Sequence, residues 1–195
     1  MRHTLRSHAG SFALAASLLV GAAASAHAQS TVITFEDLTG TGVLPTNYAG
    51  LTWSNDWIFY DASQSPYTPE SGVERIFTED DLSSFSFSGG VTFQGAYFSG
   101  YRDSPVQFLL FFEGNPVGSS AVYSAMTDTP TFLASGYDGL VDEVEITTDS
   151  RNWVMDDVTF TAPDTATPEP ATMSMLAFGL VGMGGAAFRR RRTRS

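Results

Sequence analysis

Two acidic dipeptides, Glu36-Asp37 and Asp156-Asp157, sit in extended-looking segments near opposite ends of the central part of the chain. The first closes TVITFED and the second lies inside NWVMDDVTF. Side chains two residues apart in a strand share a face. Counted this way, Asp37 falls with Ile33 and Phe35, and Asp156 with Val154, Val158 and Phe160. Two inward carboxylates near each other need compensation. A hard divalent cation with oxygen ligands supplies it, so Glu36, Asp37, Asp156 and Asp157 are candidate ligands of one structural calcium ion. The competing reading makes them solvated strand ends. A second group is aromatic. Trp57, Tyr60 and Tyr67 offer flat apolar faces for the C–H faces of sugar rings, and Asp56 and Arg102 offer bonds to hydroxyls. Asn55, Asp61 and Arg75 are further hydroxyl partners. Core packing competes here too, and it is the favoured reading for Trp53 and Trp153, which lie in strand-like pattern.

Other chemistry is excluded by residue type. The three histidines (His3, His8, His27) lie in the first 28 residues, and the chain has no cysteine and no lysine. Residues 29–162 therefore contain no Ser-His-Asp triad, thiol nucleophile, Schiff-base lysine, or histidine or thiolate zinc site. Three arginines face nineteen carboxylates there, a formal charge of −16. Such a surface repels nucleic acid. Hydroxyls, aromatics and carboxylates remain, which suit calcium, sugars or a glycosidase-type carboxylate pair.

The elements that must position these residues read as β. Aromatic and β-branched runs occur in VTFQGAYFSG and VQFLLFFEG, and EGNP turns the second run back into VGSSAVYSA. LVDEVEITT alternates, with Leu140, Val144 and Ile146 inward and Asp142, Glu143 and Glu145 outward. No helical period is sustained. Short strands separated by turns predict an all-β fold, a two-sheet antiparallel jelly-roll sandwich, with an immunoglobulin-like sandwich as the alternative. The segment from 50 to 76 reads as one or two strands and a long loop, where function often resides.

Both ends read as addresses. Residues 1–28 have a basic start, the apolar run SFALAASLLVGAAASA and a small-x-small close at Ala26-His27-Ala28: a signal peptide. Residues 29–162 are then the sandwich domain and 163–170 a linker. The uncharged run 171–188 is just long enough for a transmembrane helix, and 189–195 form a basic cytoplasmic tail. Pro168, Glu169 and Pro170, the apolar run with its glycines, and the arginine cluster in that order resemble the PEP-CTERM sorting signal of Gram-negative bacteria. The resemblance implies cleavage near that motif by an exosortase in a producer of extracellular polysaccharide, and the signal peptide implies a signal peptidase at the other end.

The domain itself resembles the sandwich domain of many PEP-CTERM proteins, through ITFEDL, YAGLTWSN, SFSFSGGVTFQGAYFSG, FEGNPVGSS and YDGLVDEVEI with WVMDDVTF in order. Such domains look related to galactose-binding-like jelly rolls and carbohydrate-binding modules. That likeness implies a structural calcium on the terminal strands. The expectation is an exported, exosortase-processed surface or matrix protein. It is non-catalytic, passes transiently through the membrane by its C-terminal run, and binds exopolysaccharide. A calcium-stabilised adhesion module without sugar specificity, or a carboxylate-based enzyme acting on glycosides, are the alternatives.

Overall fold

The alternating segments become strands. The computed structural model describes residues 29–163, and the twelve regular elements among them are all β. One sheet is built from β2 (Thr41–Val43), β5 (Trp57–Tyr60), β6 (Arg75–Thr78), β12 (Trp153–Thr161), the second half of β7 (Leu82–Gly100) and β10 (Thr131–Ala134), in that order. β1 (Ser30–Ile33) pairs the last residues of β12, so the first and last strands lie together. The other sheet runs β3 (Asn47–Tyr48), β4 (Leu51–Trp53), the first half of β7, β11 (Val141–Thr148), β8 (Val106–Phe112) and β9 (Asn115–Ser119). Every pairing is antiparallel, and β7 passes from one sheet to the other through Gly89 and Gly90. This is the two-sheet jelly-roll sandwich expected from the alternation.

The core lies between the sheets and is largely aromatic. Phe98 of one sheet meets Phe108 of the other at a ring separation of 5.6 Å, and Trp57 meets Trp53 at the same distance. Trp153 closes this row against Trp57 and Phe98. Buried indole nitrogens need partners. Trp53 donates to the Tyr48 carbonyl, Trp57 to the Ser84 carbonyl and Trp153 to the Thr148 hydroxyl, all at 3.1–3.2 Å. Deleting such a ring costs about 3–5 kcal/mol.

Three places depart from simple alternation. β11 carries a register shift between Val141 and Glu143, so Val141 enters the core and Leu140 stays 43% exposed instead of facing inward. β1 ends at Ile33, and Phe35 adopts a left-handed φ of 61°. The chain then turns, with Leu38 N–H donating to the Phe35 carbonyl at 2.9 Å. Glu36 and Asp37 therefore sit exposed on a turn, where counting by two no longer applies. In β12 a bulge interrupts the pairing with β7 after Asp156, and Asp157 has a φ of 49°. The extra residue shifts the phase. Trp153 and Met155 precede it on the core face, and Val158 and Phe160 follow it there. Val154 and Asp156 face away from that core, not with Val158 and Phe160 as counting predicts.

Candidate functional site

The outer face of the first sheet carries the site. Tyr60 pairs with Arg75 across β5 and β6, and Ile58 with Phe77. Ile76 pairs with Met155 and is core, so its neighbours Arg75 and Phe77 point outward, as do Val154 and Asp156 of β12. The long loop 61–74 folds over this face.

Carboxylates hold that loop. Asp156 is 2% exposed, and its Oδ2 accepts from the backbone N–H groups of Glu70 (2.9 Å) and Ser71 (3.0 Å). Its Oδ1 accepts from Asp157 N–H at 2.8 Å. Ser71 Oγ–H donates to Asp157 Oδ1 at 2.6 Å. Glu36 Oε1 reaches from the first turn to accept from Val73 N–H (2.9 Å) and Glu74 N–H (2.7 Å). Gly72 allows this approach: it has a φ of 50°, and a Cβ there would fall on the Glu36 carboxylate. Burial outweighs these donors at Asp156 and raises its pKa from 3.8 to about 7, with the neighbouring Asp157 charge adding to the effect.

Asp37 has a different partner. It accepts from the Tyr48 hydroxyl, and burial together with that bond raises the Tyr48 pKa well above its ordinary value. The four acidic candidates are thus spread over a loop clamp and a tyrosine. The carboxylates oppose N–H and O–H donors, which supply compensation of another kind than an ion. Among the described residues no three acidic, histidine or cysteine side chains converge as a metal cluster. Glu74, which the alternation does not single out, is 1% exposed with neither carboxylate oxygen hydrogen-bonded. Burial, then the charges of Asp61 and Glu36, raise its pKa.

Two hollows open beside the loop. The first, about 300 Å³, is lined by Thr41, Tyr60, Gln64, Tyr67, Phe77, Arg151, Trp153 and Val154. Tyr60 and Phe77 meet edge to face at 5.4 Å, and Tyr67 meets Tyr101 likewise at 5.6 Å. Arg151 is exposed and reaches Asp81 only at 4.0 Å. The second hollow, about 260 Å³, shares Gln64 and Tyr67 with the first and has a mixed wall, with Asp61, Arg75 and Asp128 beside Pro69 and Val73. Arg75 stacks over the Tyr60 ring at 3.9 Å.

Of the aromatic candidates, Tyr60 and Tyr67 reach the first hollow. Trp57 does not: it is 0% exposed and belongs to the core, so no ligand can stack on it. Asp56 is occupied as well. Burial pushes its pKa up, but hydrogen bonds from Ser54, Ser83 and Thr78 prevail and leave it lowered. Thr78 Oγ1–H donates to it at 2.7 Å, and it lines a separate depression with Asn55, Glu79 and Asp80. Arg102 is exposed on the turn after β7 and lines neither hollow by the loop. Sequence reasoning misses Phe77, Arg151 and Gln64 as lining residues; the cross-strand pairing that gathers them leaves no local motif.

The decisive observation about the chain's destination lies past β12. Residues 166–192 match the PEP-CTERM protein-sorting motif. This segment includes Pro168, Glu169 and Pro170, and it lies outside the described residues, as do residues 1–28, where a signal peptide is expected, the apolar run 171–188 and the basic tail. Among the described residues no helix is long and apolar enough to cross a membrane. No curated protein sequence matches the chain. Among solved structures, a tyrosine-to-alanine mutant of a family 29 carbohydrate-binding module is similar at 14% identity and a TM-score of 0.41, over 69% of this chain and 93% of the other. A lysine-to-alanine mutant of the same module is similar at 16% identity and a TM-score of 0.40, over 72% and 99%. The PEP-CTERM motif thus follows a β-sandwich whose outer face bears an open aromatic hollow.

Proposed function

We propose that this PEP-CTERM protein is exported, cut by an exosortase near Pro168-Glu169-Pro170, and left at the cell surface or in the matrix as a non-catalytic polysaccharide-binding module. The observation that carries the binding reading is the first hollow. Tyr60, Tyr67 and Phe77 give it apolar ring surface, while Gln64, Thr41 and Arg151 give it bonds to hydroxyls. Ring stacking combined with a few placed polar groups is how a shallow site holds a sugar without chemistry.

Binding is tested by affinity electrophoresis in gels containing the producing cell's own exopolysaccharide. Wild type is retarded, and Tyr67→Ala and Phe77→Ala migrate freely. Equal retardation of all three would sink the assignment to this hollow. Processing is tested by intact mass. The surface-released product lacks residues 1–28 and Arg189–Arg192, and a product that keeps those arginines argues against exosortase handling.

A further inference from the structure

We infer that the second hollow, next to the aromatic one, is a second sugar subsite, selective for an uncharged unit with adjacent hydroxyls. The site as a whole then takes a neutral chain at least two units long. The inference rests on the glycan-binding reading above and goes on to name the ligand's charge and length.

Three observations carry it. The hollows are neighbours, since Gln64 and Tyr67 line both, so a chain two or more units long that is seated on Tyr67 is within reach of the second. The second hollow contains both signs of charge. Asp61 and Asp128 lie on its exposed rim. Arg75 lines it from a position only 1% exposed, and its Nε–H has no hydrogen-bond partner. The other guanidinium nitrogens are committed: Nη1 donates to the Val73 carbonyl at 2.7 Å and Nη2 to the Ala62 carbonyl. No carboxylate forms an ion pair with Arg75 among the described residues.

That combination discriminates by charge. A ligand carboxylate drawn to Arg75 meets Asp61 and Asp128. A ligand ammonium drawn to the aspartates meets Arg75. Hydroxyls carry no charge for either sign to repel, and they donate to the exposed aspartates. Ser63, Ser65 and Thr68 extend the hydroxyl-compatible wall. The domain's −16 formal charge raises the same barrier against uronate or sulfated chains at longer range.

The experiment is calorimetric titration of the full-length protein with neutral gluco-, manno- and galacto-oligosaccharides of one to six units. Oligouronates and oligoglucosamines of matched length are run beside them. Affinity for at least one neutral series is expected to rise tenfold or more between one unit and two or three, then level off. The oligouronates bind at least tenfold more weakly at low salt, and the oligoglucosamines, which the acidic domain attracts without fitting the subsite, show no comparable gain with length. Asp128→Asn, at an exposed position, removes a charged acceptor and cuts the length-dependent gain roughly tenfold. Its melting curve, matched to wild type, excludes misfolding. Asp61→Asn is the second variant, although Asp61 also accepts from Gly40 N–H at 3.1 Å. If oligosaccharides bind in a Tyr67-dependent way but with no preference for neutral chains, or with a length gain that Asp128→Asn leaves intact, the second subsite is refuted and the aromatic site stands. If no series binds, both readings fall.

Discussion

Asp156→Asn tests whether the loop over the outer face is held by a carboxylate that resists its own charge. The group is 2% exposed and its pKa stands at about 7 against an ordinary 3.8. The folded protein therefore binds a proton more tightly than the unfolded chain does. Its stabilising effect is complete below pH 3.8, is lost as pH rises toward 7, and is flat above that. At 1.36 kcal/mol per pH unit the whole effect is about 4 kcal/mol, of which about 2.5 falls between pH 5 and pH 8. For a domain of this size that corresponds to a melting point roughly 8 °C higher at pH 5 than at pH 8. Asparagine removes the charge but turns an N–H toward Asp157 N–H, at a cost of about 1–2 kcal/mol. The variant is thus expected to be more stable than wild type at pH 8 by about 2 kcal/mol and no more stable at pH 5. The two proteins differ only at residue 156, so the difference between the two melting-point profiles isolates Asp156. Glu74, also raised, contributes in the same direction and leaves a residual slope. Asp56 is lowered and loses its contribution only below this window. Parallel profiles for the two proteins between pH 5 and 8 would refute the reasoning.

Gly72→Ala combines a left-handed φ with a Cβ placed on the Glu36 carboxylate, so it should cost about 2–4 kcal/mol and free the loop, read as a lower melting point and faster proteolysis between residues 61 and 74. Trp57→Ala should lower the melting point by about 10 °C or more through loss of a buried ring, whereas Tyr67→Ala should shift it by only about 1–2 °C. Removing divalent cations with a chelator should leave the wild-type melting curve in place, because Glu36, Asp156 and Asp157 already accept bonds from protein donors. A drop of several degrees, reversed by calcium, would instead support an ion at the acidic pairs.

The fold is readable because burial imposes a period of two on most strands, and composition removes the competing chemistries. What cannot be read is phase. A single inserted residue at Asp157 moves Asp156 from the core side of β12 to the side beneath the loop, and no propensity marks that insertion in VMDDV. The turn at Glu36-Asp37 likewise ends the alternation before it reaches the acids to which counting applies it. The sequence therefore marks both acidic pairs as structurally constrained, and Asp156 as buried, without showing what faces them. Charge compensation need not come from an ion when a loop can present consecutive amides. Residues 70–74 present four N–H groups to two carboxylates from distant parts of the chain. This clamp explains why the site forms where it does. By fastening the loop at its far end, it fixes Gln64 and Tyr67 between the two hollows. In the proposed binding mode Glu36 and Asp156 act without touching ligand, as the frame that keeps an otherwise irregular segment in one place.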